Sequence, residues 1–209
     1  GLGTGRAATA FVEALGARVR AGLRVRGVAT SRATAELAAG LGIPLVTLAD
    51  VEAIDLTVDG ADEVDPRCDL IKGYGGALVR EKIVAAASGR LVVLVGAEKL
   101  VPVLGSRGIL PVEVLPFGLE PCRRRLAAFG WTPRPRVRDG RLVVTDNGNH
   151  LLDCGVPALD RPEETEAAVR AIPGVVGTGL FLGMADTVFV QAGDAVEVRS
   201  RPGAGGRPT

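Results

Sequence analysis

The chain has 209 residues, 47% of them hydrophobic, and a formal net charge of +1. That length suits one large domain or a core with a small appended one, with enough apolar residues to bury a sizeable interior. The near-neutral charge argues against a general polyanion-binding surface, so no nucleic-acid partner is expected, and no apolar run reaches the ~20 residues of a membrane span.

In chain order, a glycine loop at Gly1–Gly5 leads into a helical stretch, Ala7–Ala21, with Phe11, Val12, Leu15 and Val19 at helical spacing. The opening at Gly1, inside a strand-to-loop motif and without a methionine, reads as a piece lacking the first helix and strand of its core. Leu23–Ala29 reads as a strand, and Ser31–Leu41 as a helix capped by Thr30 or Ser31 and ended at Gly42. Leu45–Leu48 and Leu56–Val58 are short strands. A second glycine loop, Gly73–Gly76, precedes a helix over Arg80–Ser88, and the apolar run Leu91–Val95 predicts a strand buried on both faces.

From about Leu110 prolines punctuate the chain. Pro116–Phe129 and Pro162–Ala171 read as helices, and Leu142–Thr145, His150–Cys154 and Gly179–Phe181 as strands. Thr187–Gln191 is expected as the last core strand, and Arg199–Thr209 as a disordered tail. The expected fold is α/β: an open, mostly parallel, Rossmann-like sheet with helices on both faces, plus a small inserted α+β domain. The boundaries that follow are 1–109 for the core, 110–184 for the insert, 185–199 for the last strand and 200–209 for the tail.

Some residues are read as outside the chemistry. Cys68, Cys122 and Cys154 form no C-x-x-C pair, which argues against a disulfide framework or a zinc site and for a reducing cytoplasm. No metal or other cofactor is expected. His150, the single histidine, reads as a strand-edge residue. The arginines at 123–125 and at 134, 136, 138 and 141 read as a solvated face, because no aromatics interleave to stack bases.

Three segments can carry chemistry. Val58-Asp59-Gly60-Ala61-Asp62-Glu63 follows a short strand, and open α/β sheets bind ligands beyond their strands' carboxyl ends. Asp59 and Asp62 could converge there on one small polar molecule, or could simply form an Asp-Gly turn and a helix cap. Lys72-Gly73-Tyr74-Gly75-Gly76-Ala77 offers backbone N–H groups to an anion and a lysine to a developing oxyanion, unless it is only a flexible connection. Glu81, in Arg80-Glu81-Lys82, is either a residue complementing the helix dipole or a general base. Together these groups supply what proton transfer between adjacent sugar carbons needs. One carboxylate moves the proton from C2 to C1, a cation steadies the enediolate, and a second carboxyl group serves the hydroxyls.

Asp59-Gly60-Ala61-Asp62-Glu63, Lys72-Gly73, Leu78-x-Arg80-Glu81-Lys82 and Val143-Val144-Thr145-Asp146-Asn147-Gly148-Asn149 resemble the ribose-5-phosphate isomerase A family. So does Ala171-Ile172-Pro173-Gly174-Val175-Val176-Gly177-x-Gly179-Leu180-Phe181. The resemblance runs from Gly1 to about Gln191. It implies interconversion of ribose 5-phosphate and ribulose 5-phosphate, with Glu81 as base, Asp59 as proton shuttle, and Asp62 and Lys72 holding hydroxyls and enediolate. It also implies substrate contacts at Gly60, Ala61, Gly73, Tyr74, Gly75 and Lys99, a phosphate loop at Gly3, Thr4, Gly5, Arg6 and Ala7, and a homodimer or homotetramer.

Two places depart from the family pattern. Arg6 and Ala7 stand where the family has Ser and Thr, and Tyr74 stands where it has a glycine or alanine. Arg6 could replace the lost hydroxyls with a charged fork on the phosphate, or could point into solvent. Two rival readings remain. Gly3-x-Gly5-x-x-Ala8 with Thr30-Ser31-Arg32 fits an NADP-binding oxidoreductase, and the altered phosphate loop fits a non-catalytic sugar-phosphate sensor.

Overall fold

The computed structural model describes residues 1–202. The chain runs α1 (Arg6–Arg20), α2 (Arg32–Gly40), β1 (Thr57–Gly60), β2 (Glu63–Val64), β3 (Leu70–Ile71) and α3 (Leu78–Ala86). It continues through β4 (Leu91–Gly96), β5 (Ile109–Val114), α4 (Leu119–Ala127), β6 (Thr132–Pro135), β7 (Val137–Arg138) and β8 (Arg141–Leu142). It closes with β9 (His150–Gly155), α5 (Pro162–Arg170), β10 (Val175–Thr178), β11 (Leu180–Phe181), β12 (Thr187–Ala192) and β13 (Ala195–Ser200).

Two compact units divide these elements, one of residues 1–61, 80–98 and 184 onward, the other of 62–79 and 99–183. The expected boundary at 109 does not coincide with this division. Residues 62–79 and 99–109 group with the α+β part, because β2 and β3 form a sheet with β11 and Val64 bridges Leu100.

In the first unit β1, β4 and β12 are parallel neighbours, and β13 adds antiparallel to β12. Past β1 the sheet continues only as single parallel bridges, from Leu2 to Val58 and Ala29 and from Gly27 to Leu45. The strand expected at Leu23–Ala29 is therefore little more than two bridged residues, since Leu23, Arg24 and Arg26 are exposed and have no core face to bury. The strand expected at Leu45–Leu48 gives way to a 3-10 turn, Leu48–Asp50, closed by reciprocal Thr47 and Asp50 bonds. In β4, Leu91, Val93 and Val95 are buried while Val92, Leu94 and Gly96 are only half-buried, so burial is one-sided where two-sided burial was expected.

Helix α1 buries Ala8, Val12 and Gly16, spaced four apart on one face. At Gly16 a Cβ would stand 2.8 Å from the Leu41 Cβ, so only glycine admits this approach. Ser31 caps α2, its Oγ accepting from the Thr34 N–H at 3.1 Å.

The second unit centres on an antiparallel sheet in the order β10-β5-β9-β6. Pro133 and Pro135 lie in β6 at the sheet edge, where a missing donor costs nothing. Leu110, Val112, Leu126, Leu152, Cys154 and Val169 are among the residues of its core. His150 lies on β9, its Nδ1 3.0 Å from the Val143 carbonyl oxygen. The fold is α/β, as expected. The tail expected from Arg199 begins instead within β13, and residues 203–209 lie outside the described ones.

Candidate active site

Asp59 lies in β1, one residue before its end, and is 1% exposed. Its Oδ1 accepts the Thr4 N–H at 3.1 Å and the Gly60 N–H at 2.7 Å. Gly3 makes this possible, because a Cβ there would stand 2.6 Å from the Asp59 Cα. Thr4 anchors the loop on the other side. Its Oγ1 donates to Ser31 Oγ at 2.9 Å, Ser31 donates to Thr34 Oγ1 at 3.0 Å, and Thr34 donates back to the Gly3 carbonyl at 2.9 Å. Thr30 Oγ1 lies 2.7 Å from the Thr4 hydroxyl.

Gly5, at φ +104°, turns the chain into α1, whose first turn has no side-chain cap and no acidic residue. Its leading N–H groups thus face outward from a turn that favours anions. Arg6 does not lie over them. Its side chain is 95% exposed and points into solvent, 4.0 Å from a Glu98 that is 57% exposed. Ala7 is half-buried, its methyl 3.8 Å from where a Gly60 Cβ would be, and Ala61 is half-buried after Gly60. Glu81 sits in the first turn of α3 and is 3% exposed, which sets it apart from a surface residue that merely complements the dipole.

In the second unit Lys72 is 3% exposed, with Nζ 5.5 Å from the centre of the Phe181 ring. A buried ammonium on a ring face keeps its charge at less cost than in a plain apolar pocket. Gly73 (φ +112°) and Gly76 (φ +90°) close a turn in which the Gly76 N–H meets the Gly73 carbonyl at 3.0 Å, with Gly75 exposed at its tip.

Tyr74 does not narrow this turn. Its ring packs against the core cluster, its hydroxyl donates to the Ile109 carbonyl at 3.4 Å, and burial pushes the phenol up to about 12. What the turn receives from Tyr74 is its N–H, which donates to Asp62 Oδ2 at 3.0 Å. Burial raises the Asp62 pKa above the ordinary value, against the pull of that N–H and of Lys72, Lys99 and Arg136. Lys99 closes a 3-10 turn, Ala97–Lys99.

Two clusters escaped the sequence reading. Arg136, expected on a solvated face, is 14% exposed and ion-paired to Asp153. Glu113 is fully buried, its Oε1 accepting from Thr145 Oγ1 and from the amides of Asn147 and Asn149 at 2.8–3.0 Å, which explains that polar motif as a braced turn. The available signal was one acidic residue inside each apolar strand, Glu113 in Pro111–Val114 and Asp153 in Leu151–Cys154. Among the described residues, no group of three or more His, Cys, Asp or Glu is placed to hold a metal ion, and no helix is long and apolar enough to cross a membrane.

Each unit thus carries buried charge, Asp59 and Glu81 in the first and Lys72, beside a glycine turn, in the second. The dinucleotide alternative loses two of its three 2′-phosphate contacts, since the Thr30 and Ser31 hydroxyls are spent on Leu2 and Thr34. Residues 26–195 match the family of ribose 5-phosphate isomerase A (phosphoriboisomerase A). Ribose-5-phosphate isomerase A of Gloeobacter violaceus is 52% identical over 95% of this chain and 86% of its own length. That of Roseiflexus sp. is 50% identical over 98% and 89%. The solved structure of ribose 5-phosphate isomerase A from Methanocaldococcus jannaschii superposes with a TM-score of 0.90 at 39% identity, covering 95% of this chain and 89% of that one. A D-ribose-5-phosphate isomerase in complex with phospho-erythronic acid gives 0.92 at 38%, covering 96% and 89%. The chain belongs to the ribose 5-phosphate isomerase A family.

Proposed function

We propose that this chain interconverts D-ribose 5-phosphate and D-ribulose 5-phosphate through an enediolate, as a step of pentose phosphate metabolism. Glu81 removes the proton from C2 and returns it at C1. Lys72 stabilises the oxyanion that forms between those two transfers. Asp59, its Oδ1 held by the Thr4 and Gly60 N–H groups, moves protons among the hydroxyls. Asp62 and Lys99 hold the sugar, and the N–H groups opening α1 hold the phosphate in place of the absent Ser and Thr hydroxyls.

The observation that carries this reading is that each charged group the chemistry needs is retained and that Asp59, Lys72 and Glu81 are buried, where a solvated face would leave them exposed. The relative bound to phospho-erythronic acid, a phosphorylated sugar acid, supports a sugar phosphate as ligand. A sensor would not need a buried base. A coupled assay of ribulose 5-phosphate formation tests the proposal: turnover supports it, and binding of ribose 5-phosphate without turnover would favour the sensor.

We also read the protein as a cytoplasmic homodimer or homotetramer. Cys68, Cys122 and Cys154 are buried thiols, as a reducing compartment keeps them. The edge strand β13 exposes Val196 and Val198, an apolar edge that a second copy would cover. Light scattering of the purified protein checks the assembly, and a monomeric mass would contradict it.

A further inference from the structure

We propose that Arg136, held by Asp153, is a positioning residue that locks the Gly73–Tyr74 peptide so that the Lys72 loop presents its N–H to Asp62. The backbone N–H of Arg136 donates to the Leu151 carbonyl at 2.8 Å, which carries the β6 ladder one residue further and aims the side chain along β9. There the guanidinium meets Asp153 with both Nε and Nη2, a bidentate pairing that fixes its plane. Its remaining nitrogen, Nη1, donates to the carbonyls of Gly73 at 3.0 Å and Tyr74 at 3.1 Å.

The Gly73 carbonyl and the Tyr74 N–H belong to one peptide unit. Arg136 holds its oxygen while Asp62 receives its hydrogen at 3.0 Å. Turning that unit over would set a carbonyl against the Asp62 carboxylate and an N–H against the guanidinium, both repulsive. Gly73, at φ +112°, lies where backbone freedom is greatest, so the loop needs an external constraint to keep one orientation. Lysine could not supply it, because a point charge cannot hold a carboxylate and two carbonyls in one plane. Arg136 therefore acts on the substrate through Asp62 and Lys72, and this role rests on the isomerase reading above.

The test compares native protein with Arg136→Ala, Arg136→Lys and Asp153→Asn. For Arg136→Ala, kcat for ribose 5-phosphate should fall about tenfold or more, as the loss of charge-assisted hydrogen bonds implies, with KM changed less than about threefold. Guanidinium chloride at tens of millimolar should recover part of that kcat, whereas sodium chloride should not. Arg136→Lys should stay close to Arg136→Ala, and Asp153→Asn should fall between the two and native. Amide exchange at Tyr74 and Gly76 should quicken in all three.

A folded Arg136→Ala with native kcat, or one whose loop amides exchange as in the native protein, would overturn the proposal. If Arg136→Ala does not fold, native kcat and loop protection in Asp153→Asn would do so. Absence of turnover in the native protein would sink the isomerase reading instead, leaving amide exchange to decide whether Arg136 locks the loop.

Discussion

At Gly3–Ala7 and again at Lys72–Gly76 the chain makes a glycine turn beside a buried charged side chain, yet different chemistry stiffens the two. The first is tied by short neutral bonds, Thr4 to Ser31 to Thr34 and back to Gly3, all within one unit and within a few residues of a helix start. Its arginine, Arg6, sits in solvent. The second has one hydroxyl, that of Tyr74, which is turned away to Ile109, and an arginine from more than sixty residues away holds the turn. An arginine close to a loop in sequence can be idle while a distant one is buried in it. What decides is whether a carboxylate such as Asp153 waits to compensate the charge.

This contrast makes the lysine loop the place where chemistry is lost first. Lys72→Met should lower kcat by about 10²–10³-fold, the usual cost of an oxyanion donor, with a much smaller change in KM. A steady-state comparison checks it, and a pure KM effect would make Lys72 a binding residue only. The hydroxyl-tied loop should behave the other way. Thr4→Val removes bonds worth ~0.5–1.5 kcal/mol each, so KM for ribose 5-phosphate should rise about three- to tenfold with kcat within about twofold. A fall in kcat as large as that of Lys72→Met would erase the distinction between the loops.

Asp62, which receives the Tyr74 N–H of the lysine turn, acts on stability as well. Its folded pKa is raised, so between the ordinary carboxylate value and that higher one the native state binds more protons than the unfolded chain. Stability contributed by this group is present at low pH and lost as pH rises through that window. Asp62→Asn should therefore melt higher than native at neutral pH, with the gap closing below about pH 4, near the unfolded value. Thermal melts at both pH values check the sign, and a lower melting point at neutral pH would show that burial does not dominate there. Smallest of all should be Arg6→Ala. KM should stay within about threefold of native, because a solvated pair such as Arg6–Glu98 is worth little. A tenfold rise would return the arginine to the phosphate.

Much of this architecture was legible because local and global signals agree. The Ser31 cap and the helical spacing of α1 point the same way as their packing, and Leu91–Val95 is a strand as its apolar run predicts, though buried on one face only. The misses have physical reasons. β6 hides behind Pro133 and Pro135, which read as strand breakers until the strand is known to lie on an edge. β13 hides behind the Gly-, Pro- and Arg-rich stretch that follows it, although Val196 and Val198 alternate with Glu197 and Arg199. Leu23–Ala29 has strand-like composition but only a two-residue contact with the sheet. Asp59 and Lys72 could be singled out because charge beside glycine is conspicuous, and Glu81 because it stands near the start of an expected helix. Arg136 could not, because its partners Gly73, Tyr74 and Asp153 come together only once the fold is made.

In the proposed reaction the Glu81 carboxylate carries the proton between C2 and C1 as a proton. This is tested most directly by cycling ribose 5-phosphate in D2O over many turnovers and reading carbon-bound deuterium by NMR, with native protein and Glu81→Gln side by side. Exchange through an enediolate should place solvent deuterium at C1 of ribulose 5-phosphate and C2 of ribose 5-phosphate. In Glu81→Gln, turnover and deuterium uptake should fall together by about 10²-fold or more. Native-rate turnover by the variant, or sustained native turnover leaving both carbons free of deuterium, would contradict the account.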